Sequence, residues 1–196
     1  MTTLRTRTAP NELELAGSLF ARMAADLSMI VDRGLAVDDI RVERRTQRPA
    51  GRDLVHISFK LSIQHHDETW PGCLLVPLPD AIALAAYMMM MPDGVAARER
   101  NRTELDTLFK EALLEVGKFL AGACDAVLRV SFSEACVTRS DGCQGVRADV
   151  RPALSCREDQ PLFVARARAR VHDFEPFELI LVLPCLDELA AESPSA

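Results

Sequence analysis

The chain has 196 residues, 48% of them hydrophobic, and a formal net charge of −6. That is enough apolar material for the core of one domain, while the acidic balance excludes the broad basic surface that displaces phosphate counterions, so no nucleic-acid partner is expected. The most apolar run, Ala81 to Met91, is closed by Pro92 and falls well short of the roughly 20 residues of a membrane span; the amino-terminal MTTLRTRTAP lacks the apolar stretch of a secretory signal. Neither membrane insertion nor export is expected, and the protein is placed in the cytoplasm.

From the amino terminus, a polar tail over 1–10 leads to a helix from Asn11 to Val31, with Leu15, Leu19, Met23, Leu27 and Ile30 on one face and Asn11 as its cap. A short strand is expected over Val37–Val42. Arg41 to Arg52, with five arginines around Pro49 and Gly51, reads as an exposed basic loop. Leu54 to Gln64 alternates, with Val55, Ile57, Phe59, Leu61 and Ile63 on one side and His56, Ser58, Lys60, Ser62 and Gln64 on a wet side. The turn His65-His66-Asp67-Glu68 returns it as a second strand, Thr69 to Leu78. Pro79 and Asp80 open a helix that Pro92-Asp93-Gly94 ends, and Val95 to Arg102 reads as a charged linker.

Thr103 to Arg129 is the longest helical pattern. Leu105, Leu108, Phe109, Ala112, Leu113, Val116, Phe119, Leu120, Ala123, Cys124 and Val127 follow the spacing of one buried face, with Thr103 and Asp106 as a weak capping box. Its other face carries Glu111, Glu115, Lys118 and Gly122. Short strands over Val130–Thr138 and Gly145–Val150, joined by a turn at Ser140-Asp141-Gly142, come next. A hairpin, FVARARARVH and FELILVLP about a turn at Asp173–Pro176, closes the chain before an acidic tail. The hairpins imply an α+β domain, a largely antiparallel sheet with packed helices. One domain over 1–196 is expected, ordered from about 11 to 186 with short polar tails at 1–10 and 187–196.

Six cysteines, at 73, 124, 136, 143, 156 and 185, form no C-x-x-C pair and read as buried free thiols. His65-His66-Asp67 is the densest cluster of metal-ligating types, but neighbours on a strand point to opposite faces, so no metal is expected, and no cofactor either. Phosphate-binding and nucleophile-elbow motifs are absent from the sequence. Arg166, Arg168 and Arg170 lie on one strand face and fit either a solvated surface that resists edge aggregation or a grip on an anionic partner. Met88 to Met91 surround their helix, which suits core filling or a homodimer interface.

The hairpin, the strand WPGCLLVPLP, the helix DAIALAAYMMMM with its Pro-Asp-Gly stop, and then EALLEVGKFLAGACDAVL together resemble the CheC, CheX and FliY group of chemotaxis phosphatases. Their fold is shared by the middle domain of FliM. The resemblance covers roughly Leu54 to Pro184. It implies a long helix laid against the receiver domain of a response regulator, with an acidic residue that contacts the regulator and, three positions on, an asparagine that orients water against an aspartyl phosphate. Here that line reads Glu115, Lys118 and Gly122. An amide both donates and accepts hydrogen bonds, whereas an ammonium only donates. The resemblance therefore implies receiver binding through Glu111, Glu115 and Lys118, with Glu115 in the catalytic line and with weak or absent phosphatase activity. The alternatives are a phosphatase that has moved its catalytic group, for instance to Gln144 or Gln160, and a structural interaction module of the flagellar-switch kind. Glu14-Leu-Ala-Gly17 on the first helix has the look of a divergent second copy of the line, again without asparagine.

Overall fold

Asn11 opens the first helix by accepting the Leu13 N–H through its side-chain oxygen at 3.1 Å. The computed structural model describes residues 11–132, 135–156, 160–185 and 187, so the expected tails lie, but for Asp187, outside the described residues. Helix α1 (Glu12–Val31) places Glu12 and Glu14 in its first turn, where the exposed N–H groups favour negative charge. It ends on Asp32 in the left-handed region (φ 51°), and the hydroxyl of Ser28 accepts the Leu35 N–H at 2.8 Å to lead the chain into a strand.

The strands are β1 (Leu35–Arg45), β2 (His56–His65), β3 (Glu68–Pro77), β4 (Val137–Val146), β5 (Leu162–Val171) and β6 (Phe177–Pro184). They form one sheet in the order β1-β5-β6-β3-β2-β4, antiparallel throughout. Helices α2 (Leu78–Met88), α3 (Asp93–Glu99) and α4 (Thr107–Ser131) complete the α+β architecture. The main core joins one sheet face to the helices: Phe59, Leu61, Ile63, Leu74, Phe163, Leu181 and Leu183 meet Leu19, Phe20, Met23, Phe109, Val116 and Leu120. Strand alternation sends Cys73, Leu75, Leu162, Val164, Ile180 and Val182 to the other face, where Leu154 and Cys156 cover them.

That second cover corrects one expectation. His56 and Ser58, placed on a wet strand face, are buried. The segment over 147–156 lies across this side, tied down by the Arg48 guanidinium, which donates to the carbonyls of Pro152 (2.8 Å) and Leu154 (3.1 Å), and by the Asp149 N–H on the Gly51 carbonyl (2.8 Å).

Three segments differ from their expected form. The basic loop is in part a strand: Arg41, Arg44 and Arg45 lie on β1, paired with β5 as far as Arg45 and Leu162. An edge strand tolerates such a charge density because the side chains find acids across the surface, as Arg44 does with Glu12 and Arg166 with Glu43. The linker after α2 is helix α3, begun after Pro92 in extended conformation and with Asp93 in its first turn. Of the two strands expected over Val130–Thr138 and Gly145–Val150, Val130 and Ser131 belong to α4 and 147–150 lie outside the sheet; a single strand, β4, runs straight through the expected turn. Its register against β2 shifts so that Asp141 and Gly142 oppose Lys60 alone, with Gly142 at φ +86°. An Asp-Gly pair suits such a bulge as well as a turn.

Helix α4 begins at Thr107 because Asp106, not Thr103, caps it; the Asp106 carboxylate accepts the Phe109 N–H at 2.9 Å. The same carboxylate takes the Arg102 guanidinium at 3.0 Å. At the other end Asp125 accepts the Thr138 N–H at 2.6 Å and the Arg129 guanidinium at 2.7 Å, which fastens the helix to the start of β4.

Two tests follow from this packing. A Cβ on Gly51 would collide with the buried His56 ring, so Gly51→Ala should lower stability by about 1–3 kcal/mol, the usual cost of overpacking a closed site; an unchanged urea midpoint would show that the loop swings clear. The six thiols are free, with Cys143 and Cys156 half-buried and the other four buried. Burial pushes the Cys73 and Cys124 thiols up to about 12, and the thiolate is the reactive form. An aromatic disulfide reagent should therefore modify Cys143 and Cys156 first, with the remaining thiols reacting only on unfolding.

Candidate functional site

The candidate site is the outward side of α4. A 3.6-residue period turns Phe109, Ala112, Leu113, Val116, Leu120, Ala123 and Cys124 into the core and leaves Glu111, Glu115, Lys118 and Gly122 outside. Gly117 brings the helix down onto the sheet: a Cβ there would stand 3.2 Å from the Phe59 ring and 3.3 Å from the Ser140 hydroxyl. No such constraint acts at Gly122, where a Cβ would meet open space.

Helix α1 packs beside α4 but does not cover this side. Lys118 and Glu115 form an ion pair at 2.5 Å, with side chains 63% and 51% exposed, and Glu111 is exposed one turn before them. All three residues picked out in the sequence thus share one accessible face. At this exposure the pair adds only about 0.2–1 kcal/mol, so it is free to reorganise when a partner arrives.

Two apolar positions expected in the core belong to this face instead. Leu108 is 56% and Phe119 37% exposed, joined by Leu114 at 41%. They sit at the margins of the buried stripe, where a regular spacing continues but the sheet does not. Beside them a groove of about 600 Å³ runs between the amino-terminal half of α4 and the ends of β2 and β4, lined among others by Val55, Ile57, Leu105, Leu114 and Cys143. Sequence periodicity had no means of marking it, because the lining comes from four separate segments.

The residues considered for a moved catalytic group do not come to this face. Gln144 pairs in register with Ser58 and Gly145 with Ile57. Gly145 lines the groove beside α4, so strand alternation puts Gln144 on the opposite side of the sheet. Gln160 is buried immediately before β5. On α1, Glu14 is exposed and Gly17 half-buried. His65 and His66 form a tilted ring pair at 4.2 Å, and among the described residues no group of three or more His, Cys, Asp or Glu side chains is placed to hold a metal ion. Of the basic row, Arg166 bridges Glu43 (3.3 Å) and Glu178 (2.9 Å), while Arg168 and Arg170 are exposed. Met90 is 89% exposed and Met88, Met89 and Met91 are half-buried. No described helix is long and apolar enough to cross a membrane.

No protein-family model and no curated protein matches the sequence. Solved structures do match the fold. FliY from Thermotoga maritima is 13% identical with a TM-score of 0.69, over 96% of each chain. The FliM middle domain from H. pylori is 8% identical with a TM-score of 0.63, covering 96% of this chain and 98% of that one. The chemotaxis protein CheX from Desulfovibrio desulfuricans is 14% identical with a TM-score of 0.56, covering 87% of this chain and 99% of that one. FliM from H. pylori is also seen in complexes with FliG and with SpeE. With a six-stranded antiparallel sheet and four helices among the described residues, one of them the exposed long helix, this chain has the fold of the CheC, CheX and FliY group of chemotaxis proteins.

Proposed function

We propose that this protein is a single-domain, cytoplasmic signalling protein of the CheX/CheC kind that docks the receiver domain of a response regulator on the outward face of α4, and that it is weak or inactive as an aspartyl-phosphate phosphatase. One observation carries the reading: Glu111, Glu115 and Lys118 lie together on an uncovered helix face, with a cation where a phosphatase of this group would need a neutral amide. Lys118 can attract a phosphoryl group but has no acceptor with which to hold a water in line. The position of Gln144 behind the sheet and the burial of Gln160 weigh against a moved amide.

The likeness to FliM favours a second reading, an assembly module in which the same face or a sheet edge contacts a structural partner and no phosphoryl chemistry occurs.

Both readings meet one experiment. The purified protein is added to receiver domains phosphorylated with a small acyl phosphate, and complex formation and phosphate loss are followed together. Binding without faster dephosphorylation is the expected result, weakened by Glu111→Lys or Glu115→Lys. Lys118→Asn should restore water orientation and speed dephosphorylation by about tenfold or more, toward the usual range for a placed general catalyst. Rapid dephosphorylation by the unmodified protein would contradict the inactive assignment, and lack of binding to any receiver tested would favour the assembly module.

A further inference from the structure

A second charged surface lies where the loop over 46–53, between β1 and β2, meets the segment over 147–154 that follows β4. Hydrogen bonds lace the two together: the Arg48 guanidinium donates to the carbonyls of Pro152 and Leu154, the Asp149 N–H to the Gly51 carbonyl, and the Arg151 guanidinium to the side-chain oxygen of Gln47 at 2.7 Å. One surface thus carries Arg48, Arg52, Arg147 and Arg151. Among the described residues none of these four forms an ion pair, whereas Arg44, Arg100 and Arg166 each do. The two acids beside them, Asp53 and Asp149, serve the backbone, since both occupy the left-handed region (φ 61° and 59°) that Asp tolerates better than most residues. In a chain of net charge −6 the result is a local excess of cations. Arg48 is half-buried and held by two carbonyls, so its charge is partly desolvated and already oriented for an incoming anion.

Apolar side chains stand in the same two segments. Leu54, Val55 and Val150 are 48%, 40% and 49% exposed, and Val55 is also in the wall of the groove of about 600 Å³ beside α4. Gly145, two residues before Arg147, lines that groove as well, and its one acid, Glu104, is matched by Lys110. The cations therefore border an apolar channel.

We infer that this basic rim and the adjoining end of the groove bind a short acidic segment of a partner protein, in which carboxylates are interspersed with apolar side chains. Guanidinium groups pair with carboxylates through two parallel hydrogen bonds, and exposed apolar side chains grouped beside them add contact area. A nucleic-acid strand fits less well, because neither segment holds an aromatic side chain on which a base could stack. A bilayer fits less well too: it takes up side chains that protrude, and Val55 lies in a concave wall. The site uses none of Glu111, Glu115 and Lys118, so it stands whether or not a receiver docks on α4.

The test titrates the full chain into a fluorescein-labelled peptide of repeating Glu-Leu-Asp-Phe units, followed by anisotropy. A second peptide has Ser in place of Leu and Phe, and a third has Lys in place of Glu and Asp. The first should bind about tenfold more tightly than the second, the third should not bind, and added salt should weaken the first. Arg52→Glu, Arg147→Glu and Arg151→Glu, all at exposed positions, should each weaken binding by roughly fivefold with the melting temperature retained. Arg22→Glu on α1 makes the same change in net charge and should leave binding as it was. Equal affinity for the Ser peptide overturns the inference, as does an Arg22→Glu effect as large as the other three. Preferential binding of phosphatidylglycerol vesicles or of a single-stranded oligonucleotide also overturns it, and so does self-association of the chain that Arg147→Glu abolishes, which would give the surface to a second copy.

Discussion

The structure depends on how closely α4 is pressed to one corner of the sheet. Gly117 is a point of close approach, where a Cβ would stand 3.2 Å from the Phe59 ring of β2 and 3.3 Å from the Ser140 hydroxyl of β4. Two carboxylates fix the helix along its length, Asp106 at its first N–H groups and Asp125 at the amide that begins β4. Because the buried stripe is settled by the sheet and the ends by these acids, the outward face has little structural duty. Its side chains can vary without loss of the fold, which is the condition under which a docking surface can change its chemistry.

Much of the fold was legible because its signals are local. The β2–β3 and β5–β6 hairpins and the helices α1, α2 and α4 follow from period and turn chemistry within single segments. The misreadings share a cause: a local signal served a different tertiary purpose. Ser140-Asp141-Gly142 looks like a turn, but Gly142 at positive φ supplies a bulge that keeps β4 alongside β2. The arginines of 41–45 look like a loop until β5 provides a strand to pair with and Glu12 and Glu43 provide counter-charges from elsewhere in the chain. His56 and Ser58 look exposed by alternation alone, but the loop at Gly51 closes on the His56 ring and the distant segment over 147–156 is tied to that loop.

The candidate site shows the same division. Glu111, Glu115 and Lys118 sit on one helix face, which spacing alone establishes. That the face is uncovered is a tertiary fact, since α1 packs beside α4 and leaves Glu111, Glu115 and Lys118 exposed. The apolar part was misjudged for the reason that makes it interesting. Leu108 and Phe119 continue the hydrophobic period of the helix past the edge of the sheet, so they read as core and stand in solvent.

An exposed apolar residue on a regular period is a cost unless something covers it, and a charged pair of little stabilising value persists on this face beside three such residues. Taken separately, Leu108, Leu114 and Phe119 would be scattered surface hydrophobics and Glu115–Lys118 an ordinary i, i+3 pair. Taken around the helix, Leu108 and Phe119 stand on one flank and Leu114 on the other, with Glu111, Glu115 and Lys118 between them. The helix belongs to a fold similar to those of FliY and the FliM middle domain. On the proposed reading, Lys118 stands where a phosphatase of this fold would need a neutral amide. An ammonium there lacks the acceptor that water positioning needs, though it can attract a phosphoryl group.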